Sequence, residues 1–139
     1  MKTAVDSSVL LDVLGADPRF GEKSREALRA AYDAGALVAC DVVWAEVRAH
    51  FPGDPEFEQA VGLLGIRFEP LAPEAAVAAG RLWRSSRRSP EAARGRVIAD
   101  FLIGAHAQTQ ATRLLSRDRG FYRNLFPSLD LFDPSSEKG

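Results

Sequence analysis

Short β-forming runs alternate with amphipathic helical segments along the chain. The runs are KTAV, ALVAC, IRFEPL, TRLLS and LDLFD, at 2–5, 36–40, 66–71, 112–116 and 129–133. Strands that are separated by helices favour a parallel sheet with helices on both of its faces. The sequence therefore predicts an α/β fold, a three-layer α/β/α domain with a central parallel sheet of four to five strands.

Local signals indicate where several helices begin and end. Ser7 or Ser8 is a candidate N-cap for the helix that follows the first strand, and Asp41 is a candidate cap for VVWAEVRAHF. Gly35 is expected to end the helix that starts at Gly21. The segment RVIADFLIGAHAQTQ, at 96–110, has the pattern of a mostly apolar helix.

The composition is that of one ordinary globular domain. The chain has 139 residues, of which 46% are hydrophobic and 27% are charged. We predict one domain at 1–134 and a frayed tail at 135–139. A single cysteine, Cys40, excludes an internal disulfide framework and a cysteine zinc cluster. Asp6 and Asp12 interrupt the N-terminal apolar segment, and no apolar run has the length of a membrane span, so we expect a cytoplasmic protein.

Charge is distributed unevenly along the sequence. From Met1 to Gly80 there are 7 Lys/Arg and 13 Asp/Glu, whereas Arg81 to Arg123 holds 10 Arg and 3 acids. A solvated helix face explains such a basic segment, and so does a surface that binds phosphate.

Four acids are expected at one edge of the sheet. Asp6 directly follows the first strand, Asp118 follows the fourth, and Glu46 lies one turn into the helix after the second. Right-handed crossovers place the carboxyl ends of all parallel strands at the same edge, where ligands bind in such sheets. Asp100 joins this group if its helix packs with its N-terminal end at that edge.

The surroundings of these acids suggest a metal. Asp6, Glu46 and Asp100 are flanked by apolar residues, and the residues one turn after Asp100 are small, which leaves room for an approach to its carboxylate. Carboxylates at close range cannot all stay ionised without a cation. Oxygen ligands suit Mg²⁺ or Mn²⁺ rather than zinc, and neither histidine has a convincing ligand spacing.

Each acid also has a simpler explanation in capping, ion pairing or a turn. These are a helix cap for Asp6, a pair of Glu46 with Arg48, a pair of Asp100 with Arg96, and a turn for Asp118.

Four blocks of the sequence resemble the PIN-domain family, in particular the VapC-like toxins of prokaryotic toxin–antitoxin pairs. The blocks are VDSSVLLDVL, VVWAEV, RVIADFLIGAHA and RLLSRDRGFY, and together they span nearly the whole chain. The third and fourth are the most specific, because an aspartate in an apolar helix is closely followed by a strand that ends in SRDRGF.

The resemblance implies a metal-dependent endoribonuclease. Asp6, Glu46, Asp100 and Asp118 correspond to the family's catalytic and metal-binding acids, which hold one or two Mg²⁺ or Mn²⁺ ions. Ser8 and Ser116 occupy polar positions that support these acids in the family. The resemblance also implies an RNA substrate, a homodimer and a small antitoxin partner.

Further residues are candidates for contact with RNA or with proteins. Arginines of the basic segment are candidates to bind RNA phosphates: Arg84, Arg87, Arg88, Arg96, Arg117 and Arg119. Aromatic residues are better explained as core or interface than as stacking platforms for bases: Trp44, Phe51, Phe57 and Trp83. Trp83 with Leu82 is a candidate for a dimer seam or for the surface under an antitoxin helix.

Three other functions compete. A non-catalytic PIN-like RNA-binding module requires no complete set of acids. A phosphatase of the haloacid-dehalogenase type requires a second aspartate two residues after Asp6, where Ser8 stands, and a receiver domain requires a lysine near the last strand. A purely structural domain predicts no special placement of acids.

Overall fold

The structure, a computed structural model, describes residues 1–86 and 96–135. Arg87 and Arg88, which were predicted to contact RNA, lie outside the described residues. The same is true of all but the first residue of the predicted tail at 135–139, so its expected fraying stays a prediction.

A parallel sheet of five strands forms the centre of the described part of the chain. The strands are β1 (Lys2–Val5), β2 (Ala36–Cys40), β3 (Ile66–Glu69), β4 (Arg113–Leu115) and β5 (Leu131–Phe132). Their order across the sheet is β3-β2-β1-β4-β5, and every neighbouring pair is parallel. The predicted α/β class and strand number are confirmed.

Seven helices connect these strands in the described residues. They are α1 (Ser7–Leu14), α2 (Gly21–Ala34), α3 (Asp41–Arg48), α4 (Asp54–Leu64), α5 (Pro73–Ser86), α6 (Ile98–Gln110) and α7 (Arg119–Leu125). None of them is both long and apolar enough to cross a membrane.

Three predicted helix starts are displaced. Helix α1 begins at Ser7, so the N-cap position falls on Asp6, which is extended, rather than on Ser7 or Ser8. Asp41 is the first residue of α3 instead of its cap. Helix α6 begins two residues after the predicted start at Arg96, because Val97 is still extended and its N–H donates to Asp100 Oδ2 at 3.2 Å.

The central strands are buried on both faces. Thr3, Ala4 and Val5 are consecutive in β1, and each is at most 2% exposed. Because successive side chains in a strand point to opposite faces, helices must cover both sides of the sheet.

Packing also explains a small residue in α6: a Cβ on Gly104 would lie 2.5 Å from the Phe126 ring. The expectation that this small residue leaves room beside Asp100 is therefore wrong at Gly104.

The direction of the strand order reverses between β1 and β4. From β1 the chain moves to β2 and then β3 on one side, and later adds β4 and β5 on the other. Such a reversal leaves a crevice beyond the carboxyl ends of the two strands. Asp6 directly follows β1 at this crevice, and its N–H donates to Leu115 O at 3.0 Å, which joins the ends of the two strands.

Candidate active site

Asp6 is a buried carboxylate that is surrounded by hydroxyl groups. It is 7% exposed, and Ser116 Oγ donates to its Oδ2 at 2.7 Å. Longer contacts come from Ser7 Oγ at 3.4 Å, and from Ser8 Oγ and the Tyr122 hydroxyl at 3.5 Å each. No ion pair involves Asp6 among residues 1–86 and 96–135, and burial raises the pKa of its carboxyl group.

Glu46 is joined to Asp6 through a serine. Ser7 Oγ donates to Glu46 Oε1 at 3.1 Å and also lies within reach of Asp6. The alternative pairing with Arg48 is wrong, because that guanidinium bonds Asp54 Oδ1 at 2.7 Å. Partial desolvation raises the pKa of Glu46, and the charges of Asp6 and Asp100 add to this rise although the Ser7 hydrogen bond opposes it.

Asp118 is connected to Asp6 through Ser116. The Asp118 N–H donates to Ser116 Oγ at 3.0 Å, while the same hydroxyl donates to Asp6. The Asp118 carboxylate is held by both terminal nitrogens of Arg96, with Nη2 2.9 Å from Oδ1. The two-residue spacing between Ser116 and Asp118 thus lets one hydroxyl order two acids.

Asp100 lies in the first turn of α6 and faces the same arginine. Arg96 Nη1 is 3.9 Å from Asp100 Oδ1, so the pairing suggested by the four-residue spacing exists, but it is the weaker of two. The shorter, two-pronged contact of Arg96 is with Asp118. Asp100 is 28% exposed and therefore accessible to solvent.

The four acids form one linked group at the crevice. Ser7 joins Glu46 to Asp6, Ser116 joins Asp6 to Asp118, and Arg96 joins Asp118 to Asp100. The charges of Asp118 and Asp100 also contribute to the raised pKa of Asp6, and those of Asp6 and Asp100 to the raised pKa of Glu46. The predicted gathering of four acids at one sheet edge thus has a geometric counterpart.

The four acids have the donor atoms that a hard divalent cation prefers, but they are not arranged around a common metal position. In the part of the chain that is described, no three Asp, Glu, His or Cys side chains are arranged to hold a metal ion as they stand. The donors are all carboxylate and hydroxyl oxygens, and Asp6 and Glu46 have no cationic partner there. Oxygen donors with uncompensated negative charge are the ligands that Mg²⁺ and Mn²⁺ prefer.

The predicted RNA-binding arginines occupy different surroundings. Arg84 is exposed on α5. Arg117 bonds the buried Asp12, and Arg119 Nε lies 3.6 Å from Asp133 Oδ2. A contact of these arginines with RNA stays a prediction, and for Arg117 it competes with a structural role.

The sequence analysis missed two side chains of the site. Ser7 was considered only as a helix cap, yet it bridges Glu46 and Asp6. Tyr122 was not singled out, although it follows Asp118 by one helical turn, and that spacing was the available signal. Burial raises the pKa of Tyr122 well above its ordinary value, so its hydroxyl stays protonated and faces Asp6 as a donor.

The comparisons with known proteins identify the family of the chain. The family model described as PIN domain matches residues 3–126. The chain therefore belongs to the PIN domain family. No curated protein matches the sequence as a relative.

Solved structures share the fold at low sequence identity. VapBC2 from Rickettsia felis, bound to a DNA fragment from its promoter, is 16% identical with a TM-score of 0.71, covering 96% of this chain and 98% of that chain. VapBC-1 from nontypeable Haemophilus influenzae is 14% identical with a TM-score of 0.70, covering 98% and 100%. FitAcB from Neisseria gonorrhoeae is 18% identical with a TM-score of 0.66, covering 95% and 97%.

Proposed function

We propose that this PIN domain protein is a metal-dependent endoribonuclease and the toxin of a toxin–antitoxin pair. The observation that carries the proposal is the linked group of Asp6, Glu46, Asp100 and Asp118 at the reversal point of the sheet. Asp6 is buried without an ion pair in the described residues, at the place where parallel sheets bind ligands. A purely structural domain gives no reason for such a carboxylate, whereas a functional site does.

The acids are proposed to share two tasks. Asp6, Glu46 and Asp100 hold Mg²⁺ or Mn²⁺, and Asp118 holds a second ion or positions water. When bound, the metal acidifies water and offsets negative charge on the phosphate that is cleaved. Hydroxyl donors keep the carboxylate of Asp6 oriented: Ser7, Ser8, Ser116 and Tyr122.

The partners are proposed from the shared fold and the surface. Arg84 and Arg119 are exposed and provide guanidinium groups for RNA phosphates. The half-buried pair Leu82 and Trp83 on α5 is proposed as part of a homodimer seam. The similar solved structures include VapBC proteins and a toxin–antitoxin complex, which supports an antitoxin partner. Action in the cytoplasm is part of the same proposal.

Cleavage of a mixed RNA pool tests the proposal. The purified chain is incubated with Mn²⁺ or Mg²⁺, with EDTA, and as the Asp100→Asn variant. We expect cleavage only with the metal and the native Asp100, because an amide removes the negative charge but keeps an oxygen that can accept from the Val97 N–H. An unchanged melting temperature checks that the variant is folded, and cleavage by the folded variant at the parent's rate would refute the assignment.

A PIN-like module that binds RNA without cleaving it is the second candidate. It is favoured by the fact that no three acids in 1–86 and 96–135 are arranged around a cation position. In that case the parent protein retains RNA on a filter with EDTA present, and the RNA stays intact after metal is added.

A further inference from the structure

Arg96 is the cation that lies inside the acid group. Its two terminal nitrogens bond the two oxygens of Asp118, and Nη1 lies 3.9 Å from Asp100 Oδ1. The guanidinium carbon is also 4.6 Å from the centre of the Phe121 ring, over its face. One positive charge is therefore shared, unequally, by two of the four acids, and the guanidinium packs on an aromatic face.

The other two acids have hydroxyl donors instead of a cation. Asp6 and Glu46 accept from Ser7, and Asp6 accepts from Ser116. The positive charge of Arg96 is thus confined to the side of the site that Asp118 and Asp100 form. Each oxygen of Asp118 accepts one hydrogen bond from Arg96, so the carboxylate meets a positive charge on both of its oxygens while Arg96 stays in place.

Arg96 is held loosely enough to leave. Its side chain is 29% exposed, and that of Asp118 is 33% exposed, so water can replace either partner. Arg96 also precedes α6 and is separated from it by the extended Val97, so its backbone is outside the hydrogen-bonded helix. Its release breaks the contacts with Asp118 and Phe121 but no hydrogen bond of α6.

We propose that Arg96 is an exchangeable counter-cation: it occupies Asp118 until a divalent cation binds there, and a cation binds at Asp118 only as Arg96 leaves. This inference rests on the proposed metal-dependent function. The guanidinium bonds both oxygens of Asp118 and places a positive charge beside them, so it repels a second cation at that carboxylate and the two cations compete. Competition lowers the apparent metal affinity in proportion to the fraction of molecules in which Asp118 is free.

Removal of the competitor should tighten metal binding. We expect Arg96→Met to lower the dissociation constant of the Mn²⁺ ion that binds at Asp118 by about tenfold, which corresponds to about 1.4 kcal/mol. Arg96→Lys keeps the charge but loses the two-pronged contact, so its affinity should fall between those of the methionine variant and the parent. Arg123→Met is the matched control, because it removes an exposed arginine from the neighbouring α7 and leaves Asp118 untouched.

The affinities are measured without RNA, from the electron paramagnetic resonance signal of free Mn²⁺ during titration. Circular dichroism confirms that each variant is folded. In the Asp118→Asn background, the Arg96→Met change should no longer tighten binding. In the parent, the guanidinium resonances of Arg96, assigned by their loss in Arg96→Lys, should lose their protection from hydrogen exchange when Mg²⁺ is added.

The outcomes separate this inference from the proposed function. Metal-dependent RNA cleavage together with equal Mn²⁺ affinity in the parent, Arg96→Met and Arg123→Met would overturn the exchange and leave the nuclease standing. Tighter binding in both methionine variants alike would also overturn it, because net charge alone would then explain the gain. The absence of Mn²⁺ binding and of cleavage in every variant would overturn both proposals.

Discussion

Replacement of Arg117 by methionine should destabilise the fold. Arg117 Nε and Nη2 lie 2.5 and 3.0 Å from the two oxygens of Asp12, whose side chain is 6% exposed. Among residues 1–86 and 96–135, one other donor reaches that carboxylate, Ser24 Oγ at 2.9 Å. The guanidinium also stacks over the Phe20 ring at 4.1 Å. The variant therefore leaves a buried carboxylate with one hydrogen-bond donor and no cation.

The magnitude follows from these contacts. Each hydrogen bond to a charged group contributes about 1.5–3 kcal/mol, and removal of one partner of a buried ion pair costs about 3–5 kcal/mol. Arg117 itself is 29% exposed, so the lower end of the range applies, about 3 kcal/mol. For a domain of this size, such a loss lowers the melting temperature by roughly 10 °C.

Urea unfolding of the parent, Arg117→Met, and Arg117→Met with Asp12→Asn measures this effect. The double variant should regain most of the lost stability, because it contains no unpaired charge and the asparagine can still accept from Ser24. Arg123→Met serves as the control for loss of an exposed arginine. A free energy of unfolding for Arg117→Met within about 0.5 kcal/mol of the parent would show that the pair contributes little, and the assignment of Arg117 to RNA would then gain weight.

Two further predictions concern packing and charge. Gly104→Ala should lower the free energy of unfolding by about 1–2 kcal/mol, because the added Cβ lies 2.5 Å from the buried Phe126 ring. Gly80→Ala in α5 meets no atom within 4 Å and should raise stability by up to about 1 kcal/mol, and equal effects of the two changes in urea unfolding would contradict this argument. Asp6→Asn in EDTA should become increasingly stable relative to the parent as pH rises, because burial raises the folded-state pKa of Asp6. The protonated form then stabilises the fold below the ordinary carboxyl pKa, and this stabilisation is lost as pH rises through the raised value. A stability difference that is independent of pH would refute that sign.

The location of the site at one edge of the sheet could be predicted, because it depends on the order and direction of the strands. Asp6 and Asp118 directly follow strands of a parallel sheet, and their common edge follows from the crossover rule without any knowledge of side-chain contacts. The positions of Glu46 and Asp100 are harder to predict from the sequence, since they depend on where a helix packs. Both joined the group because α3 and α6 begin near the same edge.

The partners of the acids could not be predicted, because they depend on side chains far apart in sequence. Spacing suggested a pair of Arg96 with Asp100, four residues apart. Arg96 lies outside α6, however, and its principal partner is Asp118, 22 residues away. Similarly, Arg117 was considered for RNA, although its guanidinium bonds Asp12, 105 residues away.

The two arginine pairs beside the site differ in burial, and this difference separates their roles. Arg117 stands between Ser116 and Asp118, and its bond to the buried Asp12 fixes the segment that carries both of them. Arg96 forms an ion pair with Asp118 in which both side chains are about one third exposed. Arg96 and Arg117 are equally exposed, so the difference lies in the acid: a pair with a buried carboxylate is costly to break, and a pair whose carboxylate is one third exposed is less so. The Arg117–Asp12 pair therefore fixes the backbone that carries Ser116 and Asp118. The Arg96–Asp118 pair can be replaced by a metal ion without loss of that contact.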